Sequence, residues 1–323
     1  MDAPSVSKIG VIINPRSGRG NGKGLALAER LSRHRDVPIC VLRDFKTLEP
    51  SLSAFARSGV TEIYISSGDG TIQAIQTLLA ERNEFSVLPR LCLLPHGTTN
   101  MTAADLGFRH KSIDAQAAFI EAHAREDLRS RPTLRIVNPA DGQARHGMFL
   151  GAGAVADATL YCQRVFNDKG VKGSWATFSV LAGAALKTAF LPANLADPNR
   201  FDRPYDITIR KGDGIVSSGQ QLLVLVSTLD KLILGARPFW GTKTGPIRAT
   251  VFPYPVPSVV RWLLPVLYGN DRRKGPPGAK SFSTDRFEIQ VAAPFVLDGE
   301  FFDGPAEGSL KIESGPVFTY ICG

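Results

Sequence analysis

Residues 60–71 have the sequence VTEIYISSGDGT, and this stretch decides how the chain folds. The apolar run at residues 60–66 predicts a buried strand, because its length and composition are typical of one. A Gly-Asp-Gly turn follows, and residues 71–82 have apolar side chains at helical spacing. A strand, a glycine-rich turn and a helix together form the repeating unit of an α/β fold with a parallel sheet.

The same order of elements is found on both sides of this stretch. Strands are predicted at residues 8–13, 37–42 and 90–94, and helices at residues 24–33 and 48–57. Such turns lie at the carboxyl edge of an open α/β sheet, where ligands bind. We therefore expect an α/β N-terminal domain with a mainly parallel sheet over residues 1–130.

The pattern changes after about residue 130. Short strand candidates lie between Gly, Pro and Asp residues, at 133–138, 205–210, 221–227 and 286–292, with one helical stretch at 173–190. This pattern predicts a β-rich, antiparallel, sandwich-like second domain over residues 131–323. The C-terminal tail, from about residue 310 to residue 323, is expected to return to the first domain.

Composition places the chain among ordinary globular proteins. It has 323 residues, of which 43% are hydrophobic and 21% are charged, and its net charge is +8. The positive charge indicates an anionic partner, which could be a nucleotide, an anionic membrane face or nucleic acid. The four cysteines lie far apart with no CxxC pair, which excludes a disulfide framework and a zinc ribbon and fits a reducing cytosol.

Three glycine-rich segments are candidates for binding phosphate. They are NPRSGRGNGKG at 14–24, SSGDGT at 66–71 and LPHGTTN at 94–100. Glycine lets the backbone approach a phosphate closely, and N–H groups at a helix N-terminus attract anions. None is a Walker A loop, and each alone could be a plain turn. Three such turns at consecutive strand ends are much harder to attribute to chance.

A fourth segment, LDGEFFDG at 297–304, places Asp298 and Glu300 on either side of a glycine. In an extended segment, two residues at this spacing point to the same side, and their repulsion would raise one pKa. A carboxylate with a raised pKa is suited to general-base catalysis. The alternative is an acidic turn exposed to solvent.

The order and spacing of NPRSG, SGDGT, PHGTTN and LDGE resemble the diacylglycerol kinase catalytic-domain family. That family includes bacterial diacylglycerol kinase-like lipid kinases and sphingosine kinases. The resemblance implies a two-domain, ATP-dependent lipid kinase that phosphorylates the hydroxyl of diacylglycerol or a related lipid alcohol. Residues 1–130 would be its nucleotide-binding kinase domain, and residues 131–323 its lipid-substrate domain.

The resemblance also implies site residues and cofactors, which are ATP and Mg²⁺. Glu300 is expected to be the catalytic base, with Asp298 as the second candidate, and Asp69 to be the metal ligand. The residues expected to bind ATP are Asn14, Pro15, Arg16, Ser17, Gly18, Ser67, Gly68, Asp69, Gly70, Thr71, Gly97, Thr98 and Asn100.

The sequence departs from the family pattern at three places. Ser67 replaces the first glycine of GGDGT, and Met101 stands where bacterial members usually have Asp. The second domain also lacks the Gly-rich, Asp-Gly-containing segment that holds a structural magnesium in many of those members. Alternatives are therefore an NAD kinase-like or other small-molecule kinase, or a catalytically decayed member that binds nucleotide or lipid.

A lipid kinase must reach a hydroxyl at a membrane surface, and two segments suit that contact. One is the apolar stretch at 174–195, and the other is 259–267 with the basic loop that follows it. We expect a cytoplasmic protein with peripheral contact at the inner face of a membrane. No nucleic-acid partner is expected, because the basic residues form no stripe interleaved with aromatics.

Overall fold

The computed structural model describes residues 7–33, 37–122, 127–169, 203–256 and 259–323. The apolar stretch at 174–195 and the helix expected at 173–190 lie outside the described residues. The chain divides into two compact units. The first contains Met1–Arg131 and Pro316–Gly323, and the second contains Pro132–Gly315.

The first unit is built on a parallel sheet with strand order β2-β1-β3-β4. Its strands are β1 (Ile9–Ile13), β2 (Ile39–Val41), β3 (Glu62–Ser67) and β4 (Arg90–Pro95). Its helices are α1 (Ser17–Gly20), α2 (Lys23–Leu31), α3 (Leu48–Arg57), α4 (Asp69–Glu81), α5 (Met101–Leu106) and α6 (Ile113–Glu121).

Helices cover both faces of this sheet, which explains why its central strands are continuous apolar runs. Successive residues of β1 point into opposite cores. Ile12 packs with residues of α3 and α4, whereas Ile13 packs with residues of α2 and α6. All residues of β1 and β3 are buried. This double burial fixes the ends of β1, β3 and β4, where the glycine-rich turns begin.

The last strand, β16 (Leu310–Cys322), contributes its end to the first unit. Tyr320 pairs in parallel with Leu91 of β4. Its ring is fully buried, and its hydroxyl accepts a hydrogen bond of 2.7 Å from the Nε2 amide of Gln76 in α4. A buried tyrosine hydroxyl usually has a hydrogen-bond partner, and here Gln76 is that partner.

The second unit is mainly antiparallel. Its strands are β5 (Asp127–Ile136), which begins in the first unit, β6 (Arg145–Gly147), β7 (Phe149–Gly153), β8 (Tyr205–Lys211), β9 (Gly214–Ser217), β10 (Gln220–Ser227), β11 (Ile247–Pro253), β12 (Lys280–Thr284), β13 (Arg286–Val291), β14 (Phe295–Leu297) and β15 (Glu300–Phe302). Two helices, α7 (Ala154–Lys169) and α8 (Val259–Tyr268), complete its described elements.

Alternation along these strands builds the core of the second unit. Ile207 and Ile209 of β8 and Val224 and Val226 of β10 are fully buried, while the residues between them are more exposed. This period of two is typical of a sheet with one face on a core. The expected fold class, a parallel α/β part followed by an antiparallel β-rich part, is confirmed. No described helix is long and apolar enough to cross a bilayer.

Candidate active site

Three turns lie side by side at one edge of the first unit's sheet, because β1, β3 and β4 are neighbours in it. We call them turn I (residues 14–18), turn II (residues 67–71) and turn III (residues 97–100). Each comes at or just after the carboxyl end of its strand. Every residue assigned to ATP binding from the sequence lies in one of these turns, so the fold brings the whole set together.

Turns II and III touch through their glycines. A Cβ atom built on Gly97 would lie 2.4 Å from the Cα of Gly68, and one built on Gly68 would lie 3.3 Å from the Cα of Gly97. Contacts this short with backbone atoms exclude a side chain at Gly97. Here the close approach of two backbones requires glycine, as expected for turns that surround a ligand.

The side chain of Asn14 joins turn I to turn II. Its Nδ2 donates a hydrogen bond of 2.9 Å to Oγ1 of Thr71, and its Oδ1 accepts one of 3.0 Å from the N–H of Arg16. The N–H of Ser17 donates to the carbonyl of Asn14 at 3.1 Å. Asn14 therefore fixes the shape of turn I and its position against the start of α4.

The backbone beyond turn I has an unusual run of left-handed conformations. Gly18, Arg19, Gly20 and Gly22 have φ of 56°, 59°, 66° and 75°. The N–H of Gly20 donates to the carbonyl of Arg16 at 3.2 Å, so the segment folds back on turn I. A Cβ on Gly18 would lie 2.5 Å from the carbonyl oxygen of His96, so this segment also packs closely against the end of β4.

Asp69 is the first residue of α4, and it anchors α5. Its Oδ2 accepts a hydrogen bond of 3.1 Å from the N–H of Met101, and its Oδ1 accepts one of 3.4 Å from the N–H of Thr102. These N–H groups lie in the first turn of α5, where helix geometry leaves donors without an intrahelical partner. Burial raises the pKa of Asp69, and the backbone donors offset part of that rise.

Asp69, the expected metal ligand, also has a structural contact that the sequence does not indicate. Its carboxylate links turn II to the helix that follows turn III. The N–H of Asn100 and the side chain of Thr102 are further donors to the same carboxylate. Met101, which stands where Asp is usual in bacterial members of the family, takes part through its backbone N–H.

Asn100 and Gly97 close turn III on itself. Oδ1 of Asn100 accepts from the N–H of Gly97 at 2.7 Å, and its Nδ2 donates to the carbonyl of Gly97 at 2.8 Å. Asn100 has φ of 52°, a left-handed conformation that Asn tolerates better than most residues. Thr98 lies between them and is partly buried.

The remaining residues of the predicted set occupy the same turns. Arg16 is exposed, whereas Pro15 and Gly70 are partly buried. Ser67 is buried, and its hydroxyl donates to the carbonyl of Gly68 at 3.1 Å. The serine that replaces a glycine therefore bonds to the turn's own backbone.

The sequence analysis missed His96 and Asn21 as members of this cluster. Nδ2 of Asn21 donates to the carbonyl of His96 at 3.1 Å, which joins the segment after turn I to turn III. Nδ1 of His96 lies 2.7 Å from Oγ of Ser66, and burial lowers the pKa of His96 to about 4, so its ring is neutral at pH 7. Asn21 lies in the glycine-rich segment at 14–24 and His96 in the one at 94–100, so their position in these segments could have indicated them.

The three turns suit a nucleotide polyphosphate. They combine the N-terminus of α4, a 13-residue helix, with glycines that admit a ligand close to the backbone. For magnesium, no group of three His, Cys, Asp or Glu side chains close enough to hold a metal occurs among the described residues. Mg²⁺ is usually held by few carboxylates together with substrate phosphates, and Asp69 is the acidic residue that these turns offer.

The acidic segment of the second unit is a tight hairpin. Asp298 and Gly299 connect β14 to β15 with φ of 49° and 91°. Two central residues with positive φ make a type I′ turn, for which Asp-Gly is a preferred sequence. The extended geometry expected for residues 298–300 is therefore wrong, and the argument that placed the two carboxylates on one side does not apply to this turn.

The two carboxylates have different environments. Asp298 is buried, and its oxygens accept hydrogen bonds from the N–H groups of Met148 at 2.8 Å and Phe149 at 2.9 Å. The N–H of Asp298 donates to the carbonyl of Phe149 at 2.9 Å, which completes the attachment of the turn to the start of β7. Glu300 is exposed. Asp298 thus holds the hairpin, and Glu300 presents a solvent-accessible carboxylate.

Comparison with known proteins agrees with the motifs. Residues 8–128 match the family model of the diacylglycerol kinase catalytic domain. The match confirms the resemblance to the diacylglycerol kinase catalytic-domain family. It contains turns I, II and III, and residues 298–300 lie outside it. No curated protein matches the chain.

Solved structures extend the similarity over the whole chain. A Bacillus anthracis protein described as a candidate diacylglycerol kinase has 16% identity and a TM-score of 0.66, with 99% of each chain covered. A structure described as a diacylglycerol kinase of the same organism has 16% identity and a TM-score of 0.61, covering 99% of this chain and 98% of that one. At this identity, the likeness shows a common two-domain fold.

Proposed function

We propose that the protein transfers the γ-phosphoryl group of ATP to the hydroxyl of a lipid alcohol, diacylglycerol or a close relative. The convergence of turns I, II and III carries this proposal, because it joins residues far apart in sequence at one edge whose glycines and helix N-terminus suit a phosphate. The diacylglycerol kinase domain match over the same residues supports it.

Turns I to III would bind the nucleotide mainly through backbone groups. The N–H groups at the N-terminus of α4 would face the phosphates, and Arg16 would add positive charge at the edge of turn I. Thr98 would donate a hydrogen bond to the nucleotide. Magnesium, held by the phosphates and Asp69, would neutralise charge on the transferring group.

Glu300 would take the proton of the acceptor hydroxyl. In the transfer, the hydroxyl oxygen forms a bond to the γ-phosphorus, the bond from that phosphorus to the bridging oxygen of ADP breaks, and the proton passes to the carboxylate. Exposure makes Glu300 the better candidate, whereas Asp298 already accepts two backbone N–H bonds. We therefore assign Asp298 to positioning the hairpin that carries Glu300.

An acceptor panel tests the proposal. Labelled ATP is offered with diacylglycerol, sphingosine and monoacylglycerol in mixed micelles, and separately with NAD and sugar phosphates. The proposal predicts label in a lipid product. Label in a soluble product alone would favour an NAD kinase-like or other small-molecule kinase, and ATP binding without transfer to any acceptor would favour the decayed alternative.

The Glu300→Gln and Glu307→Gln variants serve as a matched pair in this assay. Both remove one exposed carboxylate, but only Glu300 belongs to the proposed catalytic hairpin. Glu307→Gln is expected to keep the wild-type rate. An equal loss in both variants would count against a specific role for Glu300.

A further inference from the structure

Helix α8 in the second unit exposes apolar side chains along one face. Leu264 is 64% exposed and Tyr268 is 50% exposed. Arg261 and Pro265 are also exposed, and these positions at spacings of three and four share one helical face. The opposite side carries Val266, which is buried. The helix therefore packs by one side and presents Leu264, Pro265 and Tyr268 to solvent; we call this surface the α8 face.

Basic side chains lie on α8 and near its C-terminal end. Arg261 lies on the face itself, and Arg272 and Lys274 are exposed just after the helix. Arg237 is exposed too, and its N–H donates to the carbonyl of Leu267 at 2.6 Å, which places it beside the C-terminal end of α8. The acidic residue of this segment, Asp271, forms a 2.8 Å ion pair with Arg248.

Arg273 binds several backbone carbonyls through its side chain. Its guanidinium donates to the carbonyls of Arg237, of Phe239 at 3.1 Å and of Val266 at 2.8 Å. It also lies 5.7 Å from the ring centre of Trp240. Arg273 thereby ties the loop to the C-terminal end of α8 and keeps Arg272 and Lys274 close to that end of the helix.

We propose that the α8 face, with Arg261 on it and Arg272, Lys274 and Arg237 near it, docks the protein on an anionic lipid surface. This inference rests on the proposed lipid kinase function, because that reaction needs its acceptor at such a surface. Apolar side chains would enter the interface while the cations contact anionic headgroups, as amphipathic helices do at membranes.

The size of the surface favours lipid over a protein partner. A 10-residue helix is about 15 Å long and about 10 Å wide, so its exposed side offers only about 150 Å². Stable protein interfaces bury about 1,000 Å² or more in total, which is about 500 Å² on each partner. A bilayer needs no such area, because a few inserted side chains and several charges add to a useful affinity.

Vesicle co-sedimentation of the whole protein without ATP tests the proposal. Wild type is mixed with phosphatidylcholine vesicles, with and without phosphatidylglycerol. Binding is expected only when the anionic lipid is present. The charge variant, Arg272→Gln with Lys274→Gln, should lower the partition coefficient about 30-fold, the change that about 2 kcal/mol produces. High salt should abolish this difference, since about 1 M salt shortens the screening length to about 3 Å.

The apolar variant, Leu264→Gln with Tyr268→Gln, should lower binding to the anionic vesicles about tenfold at low salt. Circular dichroism shows whether the double variant folds. If it does not, Leu264→Gln alone replaces it, and this single variant should lose less vesicle binding than the double variant.

Two control variants match these changes on other surfaces. Arg43→Gln with Lys46→Gln removes the same charge in the first unit, and Val87→Gln with Ile215→Gln removes exposed apolar side chains. Both should bind like wild type. Absence of wild-type binding, or equal losses in test and control variants, would overturn the proposal. The micellar kinase assay is read separately, so transfer to lipid without vesicle binding would refute only the α8 face.

Discussion

Replacing Asp298 with Asn and Glu300 with Gln separates structure from chemistry within one hairpin. Asn tolerates the positive φ of position 298 about as well as Asp does, so the turn itself is not strained. However, an amide offers one acceptor oxygen where the carboxylate serves the N–H groups of both Met148 and Phe149. One N–H therefore loses its partner, and the other keeps a neutral one.

The magnitude follows from these two bonds. A hydrogen bond to a charged group contributes about 1.5–3 kcal/mol, and a neutral one about 0.5–1.5 kcal/mol. Losing the first bond and weakening the second should lower the free energy of unfolding by about 3 kcal/mol. At about 2–4 °C per kcal/mol for a unit of this size, Tm should fall by about 6–12 °C.

Glu300→Gln should behave in the opposite way. Exposed substitutions usually change stability by less than about 0.5 kcal/mol, so Tm should stay near that of wild type. Loss of a general base should lower kcat about 10²–10⁴-fold with ATP binding retained. Calorimetry and steady-state kinetics on both variants measure these effects. If Asp298→Asn keeps its Tm and loses more activity than Glu300→Gln, the assignment of roles is reversed.

Three further predictions concern the turns of the first unit. Gly97→Ala should abolish ATP binding measured by titration calorimetry, because its Cβ would lie 2.4 Å from Gly68, whereas Gly214→Ala, whose nearest neighbour is at 3.6 Å, should bind normally. Asp69→Asn should abolish turnover and also lower the free energy of unfolding by about 1–2 kcal/mol, since the anchor of α5 loses its charge; an unchanged kcat would show that the carboxylate is only structural. His96→Asn should change the pH dependence of stability. Between pH 6.5 and about 4, the unfolded chain protonates its His96 while the folded chain keeps the ring neutral. The free energy of unfolding of the wild type should therefore fall by about 3 kcal/mol as the pH drops through this range, and the variant should lack this fall. Urea unfolding of both proteins across this range would reveal the difference, and parallel curves would contradict the neutral, buried ring.

The sequence was a good guide wherever a local pattern decides the structure. The continuous apolar runs of β1 and β3 predict strands covered on both faces, and helices do cover both faces. The helix predicted at residues 48–57 has those bounds as α3 (Leu48–Arg57), because its apolar positions repeat at helical spacing and form its buried face. The glycine-rich turns were found for the same reason, since each follows such a strand.

Residues 298–300 contain signals for both an extended strand and a hairpin, and the extended geometry expected for them rests on the first. An alternating pattern predicts extended backbone, but Asp-Gly between two short apolar runs is also a hairpin signal, and the turn prevails. The two carboxylates differ because the hairpin pairs with β7, whose N–H groups bind Asp298. That pairing joins segments about 150 residues apart in sequence, which no local pattern contains.

Arg273 and Asp69 could not have been assigned from sequence for a related reason. Each is defined by backbone groups from other segments: carbonyls of residues 237, 239 and 266 for Arg273, and N–H groups of residues 101 and 102 for Asp69. From the sequence alone, Arg273 resembles any surface cation, and Asp69 resembles a carboxylate without backbone partners. Only the tertiary structure shows which backbone groups each side chain binds.

The most direct test of the account is the initial rate of phosphatidic acid formation from diacylglycerol and ATP in mixed micelles, followed by mass spectrometry. The account predicts a rate that depends on magnesium, is kept by Glu307→Gln and is lowered at least about 100-fold by Glu300→Gln. Absence of phosphatidic acid and of any other phosphorylated lipid, with NAD or a sugar phosphate phosphorylated by the same preparation, would contradict it.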